Sequence, residues 1–344
     1  MGTGLRFGTG TTVKDFALYH EWLRIAEDAG FDLLTTGDSQ SLWADPFTIM
    51  TVAAERTTRP RLGVTVSNPM TRHPAVAASA CAAVQQISGG RFAFGVSSGD
   101  SALRNIGVRA ATVDEIGAYV QALQRLTAGE RVDWHGAPLQ LHWLAPDAVP
   151  VPIWMAAEGP RTQRLAGRIA DGVVLSNCLT RDAYELATSN IAQGAREAGR
   201  SLDDIEIWCM ANIVLAPTER EGIDQITYVL AGTANHIYRF AMSGKGLPDE
   251  LAEPMRALQA EYDSRHHAQR DTALAHNNAT LVDKYGLRDY LAPRSTIAGP
   301  PERCIERLHE VAANGPRNLI LAQFVADPHA WMRTLADVIL PAVR

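Results

Sequence analysis

Residues 62–97, LGVTVSNPMTRHPAVAASACAAVQQISGGRFAFGVS, contain the unit that decides the fold. Leu62–Val66 is a short apolar run of strand type. Ala75–Ile87 is an alanine-rich helical stretch closed by Gly89-Gly90, and Arg91–Ser97 is a second apolar run. Both runs are continuously apolar rather than alternating, the pattern of parallel strands covered on both faces.

The same unit recurs on either side. Leu5–Gly8 has strand character, and Asp15–Gly30 sets Phe16, Tyr19, Leu23 and Ala26 on one helical stripe that stops at Gly30. Phe31–Thr36 (FDLLTT) is the second strand, ending in Gly37-Asp38, and Pro46–Arg56 is helical. Downstream, Asp114–Thr127 is helical and Arg131–Trp143 has the pattern of a hairpin turning at Gly136. Val151–Ala157 is a fifth strand before a helix at Pro160–Ala170. Gly172–Ser176 and Ile205–Leu215 are the sixth and seventh strands. From about Gly232 to Ser295 the rhythm breaks, which is expected of an insertion between strands seven and eight at the top of a barrel. Pro300–Ala313 is helical, Asn318–Ala322 is the eighth strand, and Pro328–Val343 is the last helix. Eight strand candidates followed by helices predict an α/β fold, a closed TIM (β/α)8 barrel rather than an open doubly wound sheet. No low-complexity linker divides residues 1–344, so one domain is expected.

Composition excludes several classes. With 46% hydrophobic and 20% charged residues the chain is an ordinary globular one, not a disordered one. A net charge of −6 without a basic run argues against a nucleic-acid partner. No stretch approaches about 18 uninterrupted apolar residues, so no membrane span is expected. MGTGLRFGTG lacks the basic and apolar regions of a signal peptide. Cys81, Cys178, Cys209 and Cys304 lie far apart in the sequence with no C-x-x-C spacing, as buried thiols of a reducing cytoplasm do.

In such barrels chemistry sits at the C-terminal strand ends. Strand two ends in Gly37-Asp38-Ser39-Gln40-Ser41-Leu42-Trp43 and strand three in Ser67-Asn68-Pro69, with Arg72-His73 beyond. Strand four ends in Ser97-Ser98-Gly99-Asp100-Ser101, with Arg104 close behind, and strand five in Ala157-Glu158-Gly159-Pro160. The last two have the make-up of anion cradles. One offers backbone N–H groups and hydroxyls; the other opens a helix with proline in its first turn. Plain loop and capping chemistry accounts for the same residues, because short Gly/Ser loops are weak signals.

The segments AEDAGFDLLTTGD, RLGVTVSNPMTRHPAVAASA, ISGGRFAFGVSSGDSALRNIG and VPIWMAAEGPRTQRLAGRIADGVVLS together resemble the bacterial luciferase-like superfamily of flavin- and coenzyme F420-dependent barrels. The likeness is strongest to its methylenetetrahydromethanopterin reductase-like branch. It spans residues 26–176, with a weaker echo in AGPPERCIERLHEVAANGPRNLIL. The resemblance implies that Asp38 is the carboxylate facing the ring of the cofactor and that Trp43 and Asp100 stand near the substrate, which makes these three the expected catalytic residues. It implies a non-prolyl cis peptide at Thr65-Val66 or an adjacent bond, backing the ring, and Asn68 is counted with the cofactor-binding residues. Ser98, Gly99, Asp100 and Ser101 match the loop holding the phosphate tail or ribityl chain, and Ala157, Glu158, Gly159 and Pro160 match a second phosphate-contacting turn. One position departs: many F420 enzymes of this kind have histidine after the strand-two aspartate, where this chain has Ser39. A serine hydroxyl is a poor base at neutral pH, so the proton-handling role falls elsewhere.

The resulting expectation is an oxidoreductase using coenzyme F420 for hydride transfer to or from a small organic substrate. Its alternative is a reduced-FMN monooxygenase of a two-component system, with O₂ and a partner flavin or F420 reductase; a non-catalytic cofactor-binding barrel ranks last. No metal is expected, since Asp263, His266, His267 and His276 lack ligand spacing. His73 suits a strand-end hydrogen-bonding role, and Ser39 has no G-x-S-x-G elbow. A cytoplasmic homodimer or higher homo-oligomer is expected, with no membrane partner.

Overall fold

The structure, a computed structural model, describes residues 4–238, 242–263, 273–322, 324 and 327–344, without the side chains of 273–276. β1 (Arg6–Gly10) is followed by α1 (Phe16–Asp28), β2 (Leu33–Thr36) by α2 (Pro46–Arg56), and β3 (Arg61–Ser67) by α3 (Pro74–Ile87). β4 (Phe92–Val96) leads to the short α4 (Ser101–Arg104) and to α5 (Val113–Thr127). The expected hairpin is present as antiparallel β5 (Val132–Trp134) and β6 (Ala137–Leu139), turning at His135-Gly136. β7 (Ile153–Ala156) leads to α6 (Pro160–Ile169) and β8 (Gly172–Leu175) to α7 (Arg181–Glu197). β9 (Glu206–Leu215) is followed by a helical layer of α8 (Glu219–Asp224), α9 (Thr227–Tyr238), α10 (Ala252–Glu261), α11 (Ala273–Lys284) and α12 (Arg288–Ser295). β10 (Thr296–Gly299), α13 (Pro301–Asn314), β11 (Asn318–Ala322), α14 (Pro328–Thr334) and α15 (Leu340–Val343) complete the chain.

β1, β2, β3, β4, β7, β8, β9 and β11 pair in parallel in that order, and β11 pairs back onto β1, closing an eight-stranded TIM barrel. The eight-strand count needs one correction. Thr296–Gly299 forms an additional strand, β10, in register with Asn212–Leu215 of β9. β9 is ten residues long; β8 covers it as far as Cys209 and β11 as far as Asn212, so its last residues need another partner. A four-residue buried run is too short to display a period. The layer between β9 and β10 begins at Glu219, while the expected insertion, 232–295, starts inside α9.

Local chemistry sets these elements. Asp15 caps α1 by accepting from Ala17 N at 2.8 Å, and Asp45 caps α2 ahead of Pro46. Thr112 and Glu115 form a reciprocal capping box on α5. The main core lies between the strands and the surrounding helices, with Phe7, Leu34, Leu62, Phe92, Phe94 and Ile153 fully buried. Each such side chain contributes about 1.5–3 kcal/mol. The alternate strand residues Leu33, Ala93, Trp154, Val174, Trp208 and Ile320 form a separate cluster inside the barrel. The helical layer has a second core of its own, in which Leu230, Ala234 and Ile237 of α9 meet Met255, Leu258, Val282 and Leu291.

The N-terminal end of the barrel is closed by charge and aromatics. Glu206 accepts from Arg6 at 3.1 Å and pairs also with Arg61. Arg6 lies 5.1 Å from the Trp208 ring centre and Arg61 5.1 Å from that of Trp154, and both indoles are buried. The opposite, C-terminal end is therefore the one left for chemistry.

Candidate active site

The peptide bond between Thr65 and Val66 is cis, at the place expected. The β3–β4 register shifts between Val64 and Ser67 at this point. β4 supplies Gly95 opposite: a Cβ there would lie 2.7 Å from both the Val64 carbonyl oxygen and Val66 Cγ1, so only glycine permits the approach. Thr65 and Val66 are half-buried at the mouth, whereas Ser67 and Asn68 are buried behind them.

Asp38 lies at the end of β2 with its side chain only 2% exposed. Ser67 Oγ donates to its Oδ2 at 2.5 Å, and Arg72 Nε donates to the same oxygen at 3.2 Å. Arg72 also donates to Asp45 Oδ2 at 2.6 Å and sits 5.0 Å from the Phe47 ring centre. Burial opposes the charge on Arg72, but the bonds to Asp38 and Asp45 outweigh it and hold the guanidinium above its ordinary pKa. Asp38 is thus tied down by two neighbouring strand ends. Trp43 is tied too: its Nε1 donates to the Gly37 carbonyl at 2.9 Å, which folds the indole back onto its own loop. Asn68 accepts from the backbone N–H groups of Met70 and Thr71 at 2.9 and 3.0 Å, closing its own turn. His73 caps α3, Nδ1 accepting from Ala75 N at 3.3 Å.

The β4–α4 loop crosses toward β2. Ser101 Oγ and Ser39 Oγ are 2.9 Å apart, and Gln40 Nε2 donates to the Ala102 carbonyl at 2.8 Å. Ser98 anchors the far side, its carbonyl accepting from Ala111 N at 2.8 Å. Gly99 has φ +85°, and a Cβ on it would meet Leu103 Cδ1 at 2.4 Å and Asn68 Cβ at 3.1 Å. Backbone alone is presented there.

At the end of β7, Ala157 is buried, its N–H donating to Val174 O at 3.2 Å. Gly159 is the N-cap of α6 and Pro160 its first residue, and no side chain caps the helix. The first-turn N–H groups of Arg161 and Thr162 therefore lack a side-chain acceptor. Asn177, past β8, adopts φ +57° and is buried, and its Oδ1 has no hydrogen-bond partner among the described residues. It lines a cavity of about 40 Å³ between the barrel and α9, with Glu158, Cys178, Tyr238 and Lys245.

Two residues of this mouth carry no local sequence signal. His236 of α9 reaches in between the two cradles, Nδ1 lying 3.6 Å from Asp100 Oδ2 and Nε2 3.3 Å from Glu158 Oε2. Lys245, from the loop after α9, donates to the Ile237 carbonyl and packs on Gly159, its Cε 3.3 Å from where a Cβ would be. Arg104 pairs with Asp100 at 3.5 Å. Tyr262, at the end of α10, is pushed up to about 12 by burial and by the charges of Asp100 and Asp263, against the pull of Arg104. The four cysteines are buried free thiols. His266 and His267 lie outside the described residues, as does the side chain of His276. Among the described residues no cluster suits a metal ion, and no helix is long and apolar enough to cross a membrane.

A closed parallel barrel whose β4 and β7 loop ends approach each other at its C-terminal mouth has the architecture of a barrel enzyme. The chain belongs to the luciferase-like monooxygenase family, whose model matches residues 3–318. It is 27% identical to the 5,10-methylenetetrahydromethanopterin reductase of Methanolobus tindarius, over 93% of each chain. It is 28% identical to the F420-dependent glucose-6-phosphate dehydrogenase of Beutenbergia cavernae, over 99% of this chain and 98% of the relative. Its fold matches that of the coenzyme F420-dependent tetrahydromethanopterin reductase of Methanopyrus kandleri, with a TM-score of 0.75 over 99% of both chains at 22% identity.

Proposed function

We propose that the protein is an F420-dependent oxidoreductase that moves a hydride to or from a small organic substrate. The observation that carries this reading is the convergence of two side-chain-free backbone cradles at one mouth: Gly99 at φ +85° and the uncapped N-terminus of α6 at Gly159. The F420 dependence named for the relative from Beutenbergia cavernae supports the choice of cofactor.

The residues present suit such a group. Gly99 holds a left-handed turn that a Cβ would force against Leu103 and Asn68, the α6 N–H groups have no side-chain acceptor, and Asn177 Oδ1 is a buried acceptor in want of a donor. Ser98, Gly99, Asp100 and Ser101 would hold the tail on one side and Ala157, Glu158, Gly159 and Pro160 on the other, with Thr65, Val66 and Asn68 behind the ring. When bound, the deazaflavin supplies a ring carbon that accepts or releases a hydride, so two electrons move together. The chain's own task is positioning. Asp38, held by Ser67 and Arg72, locks the ends of β2 and β3 together, and would do so beneath a bound ring. The Ser39 hydroxyl bonds Ser101, so its role is to join two loops rather than to carry a proton. Trp43, folded onto Gly37, walls the substrate side of that loop.

Titrating the protein separately with F420 and FMN, followed by fluorescence, tests the reading. F420 is expected to bind well below millimolar concentration. If neither binds tighter than about 1 mM, roughly −4 kcal/mol, the reading fails. The family's description as monooxygenases favours one second reading, in which reduced FMN binds instead and oxygen is consumed with a partner flavin reductase. A cytoplasmic homodimer or higher homo-oligomer completes the proposal.

A further inference from the structure

His236 occupies a position that neither cradle explains. It belongs to α9, whose Leu230, Ala234 and Ile237 are committed to the core of the helical layer, and its ring projects instead into the barrel mouth. There it lies within ion-pair reach of one carboxylate from each cradle, Asp100 after β4 and Glu158 after β7. A neutral imidazole has one N–H and one lone pair, so between two carboxylates it would turn a lone pair toward one of them. An imidazolium has a donor for each.

The surrounding charges sharpen the point. The ring faces Asp100 from the β4–α4 segment and Glu158 from the β7–α6 turn; Arg104 pairs with Asp100, and Lys245 from the loop after α9 packs on Gly159 beside Glu158. Among the described residues, Tyr238 on the same helix lies within reach of the Glu158 charge, and Tyr262 after α10 within reach of those of Asp100 and Asp263. Burial raises both phenols well above neutrality, and they stay uncharged. Two carboxylates therefore face an incoming anion from the cradles themselves, and whether His236 is charged decides how much of that repulsion is cancelled.

We propose that His236 is a positioning residue: as an imidazolium it holds Asp100 and Glu158, and with them the two cradles, and its charge makes the mouth receptive to an anionic cofactor tail. The identity of the tail rests on the F420 reading; the bridge itself does not. The sign follows from the donors. The two carboxylates favour the protonated ring, so the bridge is complete while His236 carries its proton and opens as rising pH removes it. In the open form an anion meets one positive charge fewer, which for a charge about 4 Å away in water weakens binding about fivefold.

The histidine ring resonances of the full-length protein, followed by NMR across pH, test the bridge without cofactor. His236→Gln identifies the signal, and an unchanged thermal midpoint shows that this variant is folded. In Glu158→Gln and in Asp100→Asn the His236 titration is expected to move to lower pH; a titration unmoved by both overturns the bridge. F420 affinity is then measured from pH 5.5 to 8. The native chain is expected to bind about fivefold more weakly at the alkaline end, and His236→Gln weakly throughout, with no such slope. A variant that keeps native affinity and slope overturns the positioning role. If F420 fails to bind the native chain, the functional reading falls; inorganic phosphate then serves as the anionic probe for the same comparison, and an equal response of both proteins overturns the inference.

Discussion

Arg72 joins two carboxylates from one loop: its Nε donates to Asp38 Oδ2 at 3.2 Å while its second nitrogen donates to Asp45 Oδ2 at 2.6 Å. Asp38 ends β2 and Asp45 caps α2, so a cation arriving from beyond β3 fixes the whole β2–α2 connection. Asp38→Asn removes the buried charge and leaves part of this network without a partner. A loss of about 1–3 kcal/mol in unfolding free energy is expected, and a similar loss for Arg72→Gln. The double variant should lose clearly less than the sum, because the two share one interaction. Urea denaturation of the four proteins checks this; simple additivity would show that the pair does not act as a unit.

Gly99 pairs a left-handed backbone with a missing side chain. Gly99→Ala sets a methyl against Leu103 and strains the backbone, with an expected cost of about 1–3 kcal/mol. The loop gives way locally, so F420 affinity is expected to fall about tenfold or more while the barrel stays folded. Fluorescence titration beside a thermal melt separates the two effects. Native affinity in a folded variant would remove this loop from the cofactor site.

The Ser39–Ser101 contact is the hydroxyl bridge between the β2 and β4 loops. Ser101→Ala strands the Ser39 hydroxyl, which is buried, at about 0.5–1.5 kcal/mol. If the loops act together in binding, this corresponds to a cofactor bound roughly two- to thirteenfold more weakly. Ser39→Ala should do the same, and the double variant little more; isothermal titration of the three variants decides.

Glu27 ties α1 to the turn between α2 and β3. Its carboxylate accepts from the N–H groups of Thr58 and Arg59 at 2.7 and 2.9 Å. Burial works against the ionised form, but these bonds and the Arg59 charge win and lower the pKa. A carboxylate with a lowered pKa stabilises the fold above its ordinary value, about 4.3, and that stability is lost as pH falls below it. Glu27→Gln is therefore expected to be less stable than the native chain at pH 7, by about 1 kcal/mol. The gap should close toward pH 3, as denaturation at both pH values will show.

The hydrophobic pattern of the chain by itself determined the barrel. Runs such as Leu62–Val66 and Arg91–Ser97, separated by amphipathic or alanine-rich helices, leave a parallel sheet covered on both faces as the way to bury them. Strand ends follow at once from strand positions, which is why Gly99 and Gly159 were legible as candidate cradle residues, whereas the special bond at Thr65-Val66 was implied only by the family resemblance. β10 was not, because four buried residues have no period of their own; its place is set by the unpaired end of β9. Nor could sequence spacing tell that Asp38 is enclosed by Ser67 and Arg72, or that Trp43 turns back onto Gly37, since both depend on how neighbouring loops pack. His236 is the clearest case. It is 136 residues from Asp100 and 78 from Glu158 in the chain, and only the docking of α9 over the barrel brings its ring between them. Local periodicity encodes the elements, but a charge bridge between distant elements exists only once their packing has fixed the distance.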